Sequence, residues 1–434
     1  MSASSLIPHL VADKVQQFVE EECIPSDALF RAQLGEGAQR WSTYPPIIDQ
    51  LKARAKKLGL WNIFLSKTHY KEGAGFTNLE YGLIAEQLGK SLVASEVRLT
   101  FPPKAGNMEV LAKYGNDVQK REWLAPLLDG QIRSAFLMTE RPVASSDATN
   151  ISLTMRREGD EYVLNGSKWW SSGAGDPRCR VYIVMGKSNP THQDPFKRQS
   201  VILVPAGTKG VTVKRMLSVY GYDDAPHGHA EIIFENARIP ASNLVLGEGR
   251  GFEIIQGRLG PGRIHHCMRS LGAAEHALEW MITRVNDPSR STFGKQLNEH
   301  GVIIEWIAKS RMEIDAARLI VLAAAHKIDT SDAKGALKEI AEAKVIVPQV
   351  SLAVIDRAVQ SFGAAGVSQD TPLATMWAHQ RTLRIADGPD EVHLQQMGRN
   401  ENKRAKALQK KLEMQRNKAE ALLRQHGIQA KMHL

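Results

Sequence analysis

The sequence predicts an α+β fold in which an N-terminal helical domain, a middle β domain and a C-terminal four-helix-bundle domain follow one another. Apolar residues recur three and four positions apart before residue 134 and again from about residue 252, which indicates amphipathic helices. Short β-rich runs separated by turn residues lie between them. We therefore place the domains at 1–133, 134–250 and 251–400, followed by a basic helical extension at 401–434.

Each part of this order has its own pattern. The segment PHLVADKVQQFVEEECIP near the N-terminus has helical period, whereas EYVLNGSKWWSS and QSVILVPAG read as strands bounded by turns. The segments at 302–328 and 337–363 carry stripes of Leu, Ile, Val and Ala that would bury one face of each helix in a bundle. These stripes predict the C-terminal domain.

Length and composition favour a soluble protein with more than one core. The 434 residues exceed the roughly 250–300 at which one hydrophobic core stops growing. There is no run of 18 uncharged apolar residues and no basic-plus-apolar leader, so we expect neither a membrane protein nor a secreted one. The final tripeptide MHL faintly resembles a peroxisomal signal, and we expect a cytoplasmic or peroxisomal location.

Basic charge is concentrated at the C-terminus. The formal net charge is +9, and residues 401–434 hold nine Lys and Arg against three Glu, which gives six of those nine charges. Apolar and small residues recur there at heptad-like spacing, which predicts an amphipathic helix that packs on a neighbouring subunit or binds an anionic membrane surface. The stripe consists of Ala405, Leu408, Leu412, Gln415, Ala419 and Leu422.

Asp387 occupies an unusual place for an acidic residue. It lies between the apolar pair Ile385 and Ala386 and a Gly-Pro turn. Apolar neighbours would strip water from its carboxylate, and Gly388 would let a substrate approach the backbone. The alternative is a turn or capping residue, although Asp390 fits the capping role better because the following helical run begins there.

Seven separated motifs lie within about residues 8–400: FLMTERPVASSDA, NGSKWWSSGA, HAEIIFENARIPASNLVLGEGRGFEI, RSTFGKQLNEH, FGAAG, LGPGRIHHCMR and IADGPDEVH. Together they resemble those of the acyl-CoA dehydrogenase flavoenzymes. The last two motifs are most similar to those of the long-chain and branched-chain members that use Asp as catalytic base.

This resemblance implies that FAD is the cofactor and that two groups of residues bind it. Aromatic surface and hydroxyl donors suit the flavin ring, whereas a guanidinium and close backbone amides suit phosphate oxygens. By spacing alone, the glycine pair would be an ordinary helix C-cap. The first group is Phe136, Met138, Thr139, Ser146, Trp170 and Ser172; the second, which acts on a neighbouring subunit's FAD, is Arg290, Thr292, Phe293, Gln360, Gly363 and Gly366.

One loop departs from the family pattern. The family usually has Thr-Glu-Pro, whereas here Arg141 stands between Glu140 and Pro142. The guanidinium of Arg141 would either approach a phosphate or face solvent, and we favour solvent.

The resemblance also assigns the acyl-CoA substrate to Arg263, which matches the arginine that contacts bound CoA, to Ser146 and to Gly388. His265 and His266 are adjacent, so they face different sides of a helix and cannot hold a metal together. We therefore expect no metal and interpret both histidines as structural or CoA-facing.

The implied reaction is FAD-dependent α,β-dehydrogenation of an acyl-CoA to a trans-2-enoyl-CoA, as in fatty acid β-oxidation. Asp387 would abstract the Cα proton and flavin N5 would accept the Cβ hydride. Desolvation is expected to raise the pKa of Asp387. The family pattern also implies a homo-oligomer, dimer or tetramer, and an electron-transfer flavoprotein or another electron acceptor.

Two alternatives remain open. Nitroalkane oxidases resemble this family and also use an Asp base, but a nitroalkane has no CoA for Arg263 to hold. A basic nucleic-acid-binding homologue is the second alternative, and we consider nucleic acid an unlikely partner because the charge is concentrated in the tail.

Overall fold

A computed structural model describes residues 9–66, 70–73, 75–97 and 104–428 of the chain. The terminal tripeptide MHL, which carries the faint peroxisomal resemblance, lies outside these residues. The N-terminal part is helical, and π-helical turns continue α1 into α2 and α7 into α8. Its helices are α1 (His9–Gln17), α2 (Ile24–Leu34), α3 (Ile47–Lys57), α4 (Asn78–Leu88), α5 (Ala94–Val97), α6 (Lys104–Tyr114), α7 (Asp117–Gln119) and α8 (Ala125–Asp129).

A capping box starts helix α4. The Thr77 side chain accepts a hydrogen bond from the Glu80 backbone N–H, and the Glu80 carboxylate accepts one from the Thr77 N–H in return. Two otherwise unpaired donors are thereby satisfied. Most of α4 is buried, so this cap begins a helix that lies inside the protein.

A seven-stranded sheet forms the middle of the chain. The antiparallel pair β3–β7 is flanked by β2 and β6, while β4 pairs in parallel with β1 and antiparallel with β5. The strands are β1 (Arg133–Leu137), β2 (Thr154–Glu158), β3 (Glu161–Ser172), β4 (Cys179–Lys187), β5 (Gln199–Pro205), β6 (Val211–Leu217) and β7 (His229–Pro240).

Strand alternation divides the interior into two cores. Ala135 and Leu137 of β1 enter a core built from one face of the sheet, whereas Phe136 enters the larger core shared with the helices. Successive side chains of a strand point to opposite faces, so this division follows from the pleat. Phe136 is thereby directed towards the helical side of the molecule.

Long helices form the C-terminal part, and the predicted α+β fold is confirmed. A short hairpin, β8 (Ser291–Thr292) and β9 (Lys295–Gln296), separates the first two helices. The helices are α9 (Gly251–Val285), α10 (Gly301–Thr330), α11 (Leu337–Phe362), α12 (Leu373–Thr382), α13 (Asp390–Asn402) and α14 (Ala405–Gln425).

One segment among the described residues, Leu337–Val367, is long and apolar enough to cross a membrane by length and composition. About 44% of its apolar 18-residue window is buried inside the protein, and α11 packs against α9 and α10. Core helices of bundles pass the same test.

Helices α4 and α9 touch backbone to backbone through two glycines. A Cβ added at Gly272 would lie 1.8 Å from the Glu86 carbonyl oxygen, and one added at Gly89 would lie 2.0 Å from the Arg269 carbonyl oxygen. Atoms cannot approach so closely, so any larger residue would push the helices apart.

Gly272→Ala is therefore expected to destabilise the protein by about 1–3 kcal/mol, the usual cost of overpacking a core. Gly398→Ala is the matched control, because Gly398 lies in α13 with open space around its Cβ position. Alanine there should stabilise the helix by about 0.5–1 kcal/mol. Urea unfolding of both variants measures the difference; equal stability of the two would contradict the close contact.

Candidate functional site

Asp387 lies in a strained turn between α12 and α13. Its φ is +56° and that of Gly388 is +101°, both in the left-handed region. A Cβ at Gly388 would lie only 2.9 Å from His393 Nε2, so the turn itself requires glycine at this position. The Lys344 ammonium holds the turn by donating hydrogen bonds to the carbonyl oxygens of Leu383 and Gly388.

The expected capping role of Asp390 is wrong. Helix α13 begins at Asp390 itself, after Pro389, and has no side-chain cap. The buried Asp390 carboxylate instead accepts hydrogen bonds from Arg384 Nε at 2.7 Å and from Gln349 Nε2 at 3.2 Å. An ion pair and an amide therefore fix the beginning of α13.

Helix α9 contributes three polar side chains around Asp387. Arg263 Nε donates a hydrogen bond to the Asp387 carbonyl oxygen at 2.9 Å. His266 Nε2 lies 3.2 Å from Asp387 Oδ2, and an Arg258 guanidinium nitrogen lies 4.0 Å from Oδ1. The side chains of Asp387 and His266 are only 21% and 18% exposed, so these interactions occur largely away from water.

The pKa of Asp387 is lowered from its usual value. Burial by itself would raise this pKa, but the hydrogen bond with His266 and the positive charges of Arg258 and Arg263 outweigh burial. The expectation of a raised pKa is therefore wrong, because it considered the apolar neighbours in sequence and not the cations that α9 brings. The structure favours an ionised carboxylate.

Arg258 connects this turn to the sheet. Its guanidinium stacks over the Phe136 ring at 4.1 Å from the centroid. Glu109 of α6 is buried, and its charge interacts favourably with Arg258. Burial nevertheless dominates and raises the pKa of Glu109 to about 8. Arg258 therefore lies between two carboxyl groups with opposite tendencies to ionise.

The ends of β1 and β3 bring together most of the first predicted cofactor group. Thr139 Oγ1 donates a hydrogen bond to the Trp169 carbonyl oxygen at 2.8 Å, and the Met138 carbonyl oxygen accepts one from Lys168 at 2.8 Å. Trp170 is 39% exposed and has a left-handed φ of +51°. Ser172 Oγ lies 2.8 Å from His229 Nδ1. An aromatic ring and hydroxyl groups thus lie together at the sheet edge formed by the ends of β1 and β3.

A buried ion pair anchors the loop after β1. The Glu140 carboxylate lies 2.7 Å from Lys168 Nζ and accepts hydrogen bonds from the Ser152 and Leu153 backbone N–H groups. Ser146 is exposed on the loop held in this way, and Arg141 faces solvent, as favoured from the sequence.

An Asp–His network joins this edge to helix α12. Asp224 contacts His229 Nε2 at 3.2 Å and His379 Nε2 at 2.8 Å. Burial would raise the pKa of Asp224, but its hydrogen bonds with these two histidines lower it below the usual value. Among the described residues, no group of three or more His, Cys, Asp or Glu side chains is arranged to hold a metal.

The second predicted cofactor group lies at the far ends of α9 and α11. Phe293 is 99% exposed at the tip of the β8–β9 hairpin, and the neighbouring Arg290 side chain is about half exposed. Thr292 Oγ1 lies 3.3 Å from His300 Nε2. These side chains point outwards from the hairpin.

The residues from the end of α11 differ in accessibility. Gln360 and Gly363 are exposed, and the Gly363 Cβ position faces open space. Gly366 is buried, and a Cβ there would lie 2.3 Å from the Val359 carbonyl oxygen. Gly366 is therefore explained by packing within this chain.

The two predicted cofactor groups are far apart along one chain. Trp280 packs on Phe362 near Gln360, at a ring distance of 5.8 Å, and it follows Arg258, which stacks on Phe136, by twenty-two residues of α9. At 1.5 Å per residue this is about 33 Å along the helix. Arg290 lies further still along the chain, beyond the end of α9.

Sequence reasoning missed Arg258 and the role of His266 beside Asp387, and it missed Glu109 as a partner of Arg258. Arg258 and His266 are eight residues apart, so both fall on one side of α9, and that spacing was a usable signal. Glu109 gave no signal, because an acidic residue in an amphipathic helix normally faces solvent.

The sheet edge suits a flavin by its chemistry. Trp170 offers a partly exposed aromatic ring beside the hydroxyls of Thr139 and Ser172. The hairpin and the end of α11 offer a guanidinium, a hydroxyl and open backbone at Gly363. Together these protein groups suit a dinucleotide that has an aromatic ring at one end and phosphates in its middle.

Models of the acyl-CoA dehydrogenase N-terminal, middle and C-terminal domains match residues 9–131, 135–237 and 249–401. The chain belongs to the acyl-CoA dehydrogenase family, whose members are FAD-dependent oxidoreductases. The family and the FAD cofactor predicted from the motifs are confirmed; the Asp-base subfamily stays a prediction.

Three relatives show how far the similarity extends. Acyl-CoA dehydrogenase family member 11 of Gallus gallus is 53% identical over 390 residues, 89% of this chain and 49% of that protein. FadE2 of Mycobacterium tuberculosis, named as an acyl-CoA dehydrogenase, is 53% identical over 84% of this chain and 88% of its own. A solved acyl-CoA dehydrogenase-type structure from Mycobacterium abscessus is 47% identical, with a TM-score of 0.86 over 91% of this chain and 98% of that one.

The chain spans about half the length of six of the curated relatives to which it is similar.

The raised pKa of Glu109 predicts a pH-dependent stability. The folded protein binds this proton more tightly than the unfolded chain, so stability falls as pH rises from 4.5 towards 8, by up to about 1.4 kcal/mol per unit. Glu109→Gln removes the ionisable group. We expect the unfolding midpoint of the variant to rise relative to wild type between pH 5 and pH 8. A constant difference across this range would show that Glu109 ionises normally.

Proposed function

We propose that this chain catalyses the FAD-dependent α,β-dehydrogenation of an acyl-CoA thioester to a trans-2-enoyl-CoA, with Asp387 as the base. The observation that carries the proposal is a largely buried carboxylate in a turn fixed by three side chains of α9, in a chain of this family. FAD, when bound, supplies the acceptor for the Cβ hydride.

Asp387 takes the Cα proton in this proposal. Its lowered pKa keeps the carboxylate ionised at neutral pH, as a proton acceptor requires, and at the same time makes it a weaker base than an ordinary Asp. The left-handed backbone at Asp387 and Gly388 fixes where the carboxylate emerges from the chain. A short Asp side chain has only two rotatable bonds, so a fixed backbone sets its reach closely.

Arg263 has two roles in this proposal. One nitrogen holds the Asp387 carbonyl oxygen, and the fork of a guanidinium has further N–H groups that can meet the CoA portion of the substrate. Gly388 lies beside Arg263, whose NH2 is 3.7 Å from the Gly388 Cβ position. We propose that both residues contact the substrate, with Ser146 on the exposed loop contributing to the same side.

The two cofactor groups are best explained by two copies of the chain. We propose that Phe136, Met138, Thr139, Ser146, Trp170 and Ser172 bind the flavin portion, and that the second group from another copy binds the same FAD. The fully exposed Phe293 and the separation of about 33 Å along α9 between Arg258 and Trp280 support this division. The second group is Arg290, Thr292, Phe293, Gln360, Gly363 and Gly366, the last of which acts through packing.

The assembly that follows is a homo-oligomer, a dimer or a tetramer. We propose an electron-transfer flavoprotein or another electron acceptor as the redox partner, in keeping with the family. We propose the same three functional units as the domain boundaries 1–133, 134–250 and 251–400. A cytoplasmic or peroxisomal location is proposed on the same basis.

The C-terminal helix α14 is proposed to bind an anionic membrane surface. Leu408, Leu412 and Leu422 of its apolar stripe are 43%, 64% and 49% exposed. Lys411, Arg416 and Lys418 flank that stripe in heptad register, so a parallel pair of such helices would oppose like charges. Apolar residues flanked by cations are typical of helices that lie in an anionic lipid interface.

Asp387→Asn keeps the shape of the side chain but removes the proton acceptor. We expect the variant to retain FAD and to bind acyl-CoA, while flavin reduction slows by at least about 10²–10⁴-fold. Asp387→Glu should retain part of the activity with a shifted geometry. Anaerobic rapid mixing with straight and branched acyl-CoAs measures the rate, with nitroalkanes as a parallel panel. Bleaching of the Asn variant at the wild-type rate would assign the base elsewhere.

Deletion of residues 402–434 tests the role of α14. We expect the deletion variant to keep its flavin and to lose binding to vesicles that contain phosphatidylserine. Neutral vesicles should bind neither the full chain nor the variant. Light scattering of the full chain should give a dimer or a tetramer. A changed oligomer size with unchanged vesicle binding would instead place α14 at the interface between copies.

A further inference from the structure

Two adjacent histidines of α9 have entirely different surroundings. His265 is buried with its ring 4.7 Å from that of Tyr81, and burial lowers its pKa to about 3. His266 points the other way and places Nε2 3.2 Å from Asp387 Oδ2. The proposed reaction gives His266 no role, although its ring contacts the proposed base.

We propose that His266 is the positioning residue of Asp387: its neutral imidazole donates Nε2–H to the carboxylate, which orients the base and keeps it ionised. This inference rests on the proposed function of Asp387 and deepens it. His266 itself takes no proton from the substrate.

Two contacts that hold Asp387 come from a single turn of helix α9. Arg263 and His266 are three residues apart, so they lie on neighbouring positions of the α9 surface. Arg263 holds the Asp387 carbonyl oxygen at 2.9 Å, and His266 holds the carboxylate. Backbone and side chain of the base are therefore fixed by the same rigid element.

The neighbouring charged groups have other contacts. Arg258 remains 4.0 Å from Oδ1, stacked on Phe136, with Glu109 beyond it. From α11, the Lys344 ammonium is directed to the Leu383 and Gly388 carbonyl oxygens. From α13, Asp390 pairs with Arg384, and the His393 ring packs against the Gly388 position. His266 is thus the contact that combines short distance with a direction towards the carboxylate.

The surroundings favour a neutral donor at this place. Burial lowers the pKa of His266 and thereby favours its neutral form, although Asp387 acts in the opposite direction. A neutral N–H stabilises the carboxylate without adding a third cation beside Arg258 and Arg263. Hydrogen bonding to the charged form lowers the pKa of an acid. Removing the donor should leave burial as the larger influence and raise the pKa of Asp387.

Two amide substitutions separate the hydrogen bond from mere packing. In His266→Gln the side-chain amide nitrogen can reach the position of Nε2, whereas in His266→Asn the same group is too short. We expect the acid limb of the pH profile for flavin reduction to rise by about one unit or more in the Asn variant and to stay near wild type in the Gln variant. His265→Gln, about 100° around the helix from His266, should leave the acid limb in place.

A second readout does not depend on turnover. Carbon-13 NMR of the holoenzyme labelled at aspartate Cγ, with Asp387→Asn used to assign the signal, follows the ionisation of Asp387 directly. We expect the Asn variant at 266 to shift this titration upwards together with the kinetic limb. Unchanged titration and an unchanged limb in His266→Asn would overturn the proposal and leave His266 as a packing residue.

The two proposals fail in distinguishable ways. Flavin reduction at the wild-type rate in Asp387→Asn would remove Asp387 as base, yet the Cγ titration would still report whether His266 controls its ionisation. A slow Asp387→Asn variant combined with equal pH profiles for His266→Gln and His266→Asn would retain the base and reject its positioning residue.

Discussion

The backbone contact between α4 and α9 is the constraint on which the site depends. Gly89 and Gly272 let the two helix backbones touch without intervening side chains, and this contact fixes the distance between α4 and α9. Its first half then lies under the turn that holds Asp387, and its last turns lie against the end of α11. Arg258, placed by the same helix, meets Phe136 because the strand pleat directs that ring towards the helices.

Arg258 lies between two carboxyl groups that cannot share it equally. In a poorly hydrated interior, one guanidinium does not stabilise two full negative charges as well as it stabilises one. Asp387 also has His266 and Arg263, so it keeps the charge. Glu109 has burial as its dominant influence, so it retains its proton up to about pH 8. The network thus places a single negative charge beside the proposed substrate position.

The layout of the fold could be predicted from sequence, because helical and strand periods are local properties. The order of helices, sheet and helices followed from them, and the family followed from motifs that each occupy few residues. The environment of Asp387 could be predicted only in part. The spacing of Arg258 and His266 places both on one side of α9, but no local pattern shows that this side meets the turn after Ile385 and Ala386. For this reason the sequence led us to expect a raised pKa for Asp387, whereas the structure lowers it. Gly388 and Gly366 likewise owe their identity to contacts with His393 and Val359 that no local pattern shows.

The length of α9 gives its glycine contact a mechanical meaning. The helix has 35 residues and extends for about 52 Å, and Gly272 lies nearer its C-terminal end. When a rigid helix tilts about a fixed contact, its two ends move in opposite directions. Arg263 and His266, which contact Asp387, lie before Gly272 in α9, and the β8–β9 hairpin follows the other end of the helix. A displacement of α9 at Gly272 would therefore move the contacts with the Asp387 turn and with the hairpin together, although these two regions lie at opposite ends of the helix.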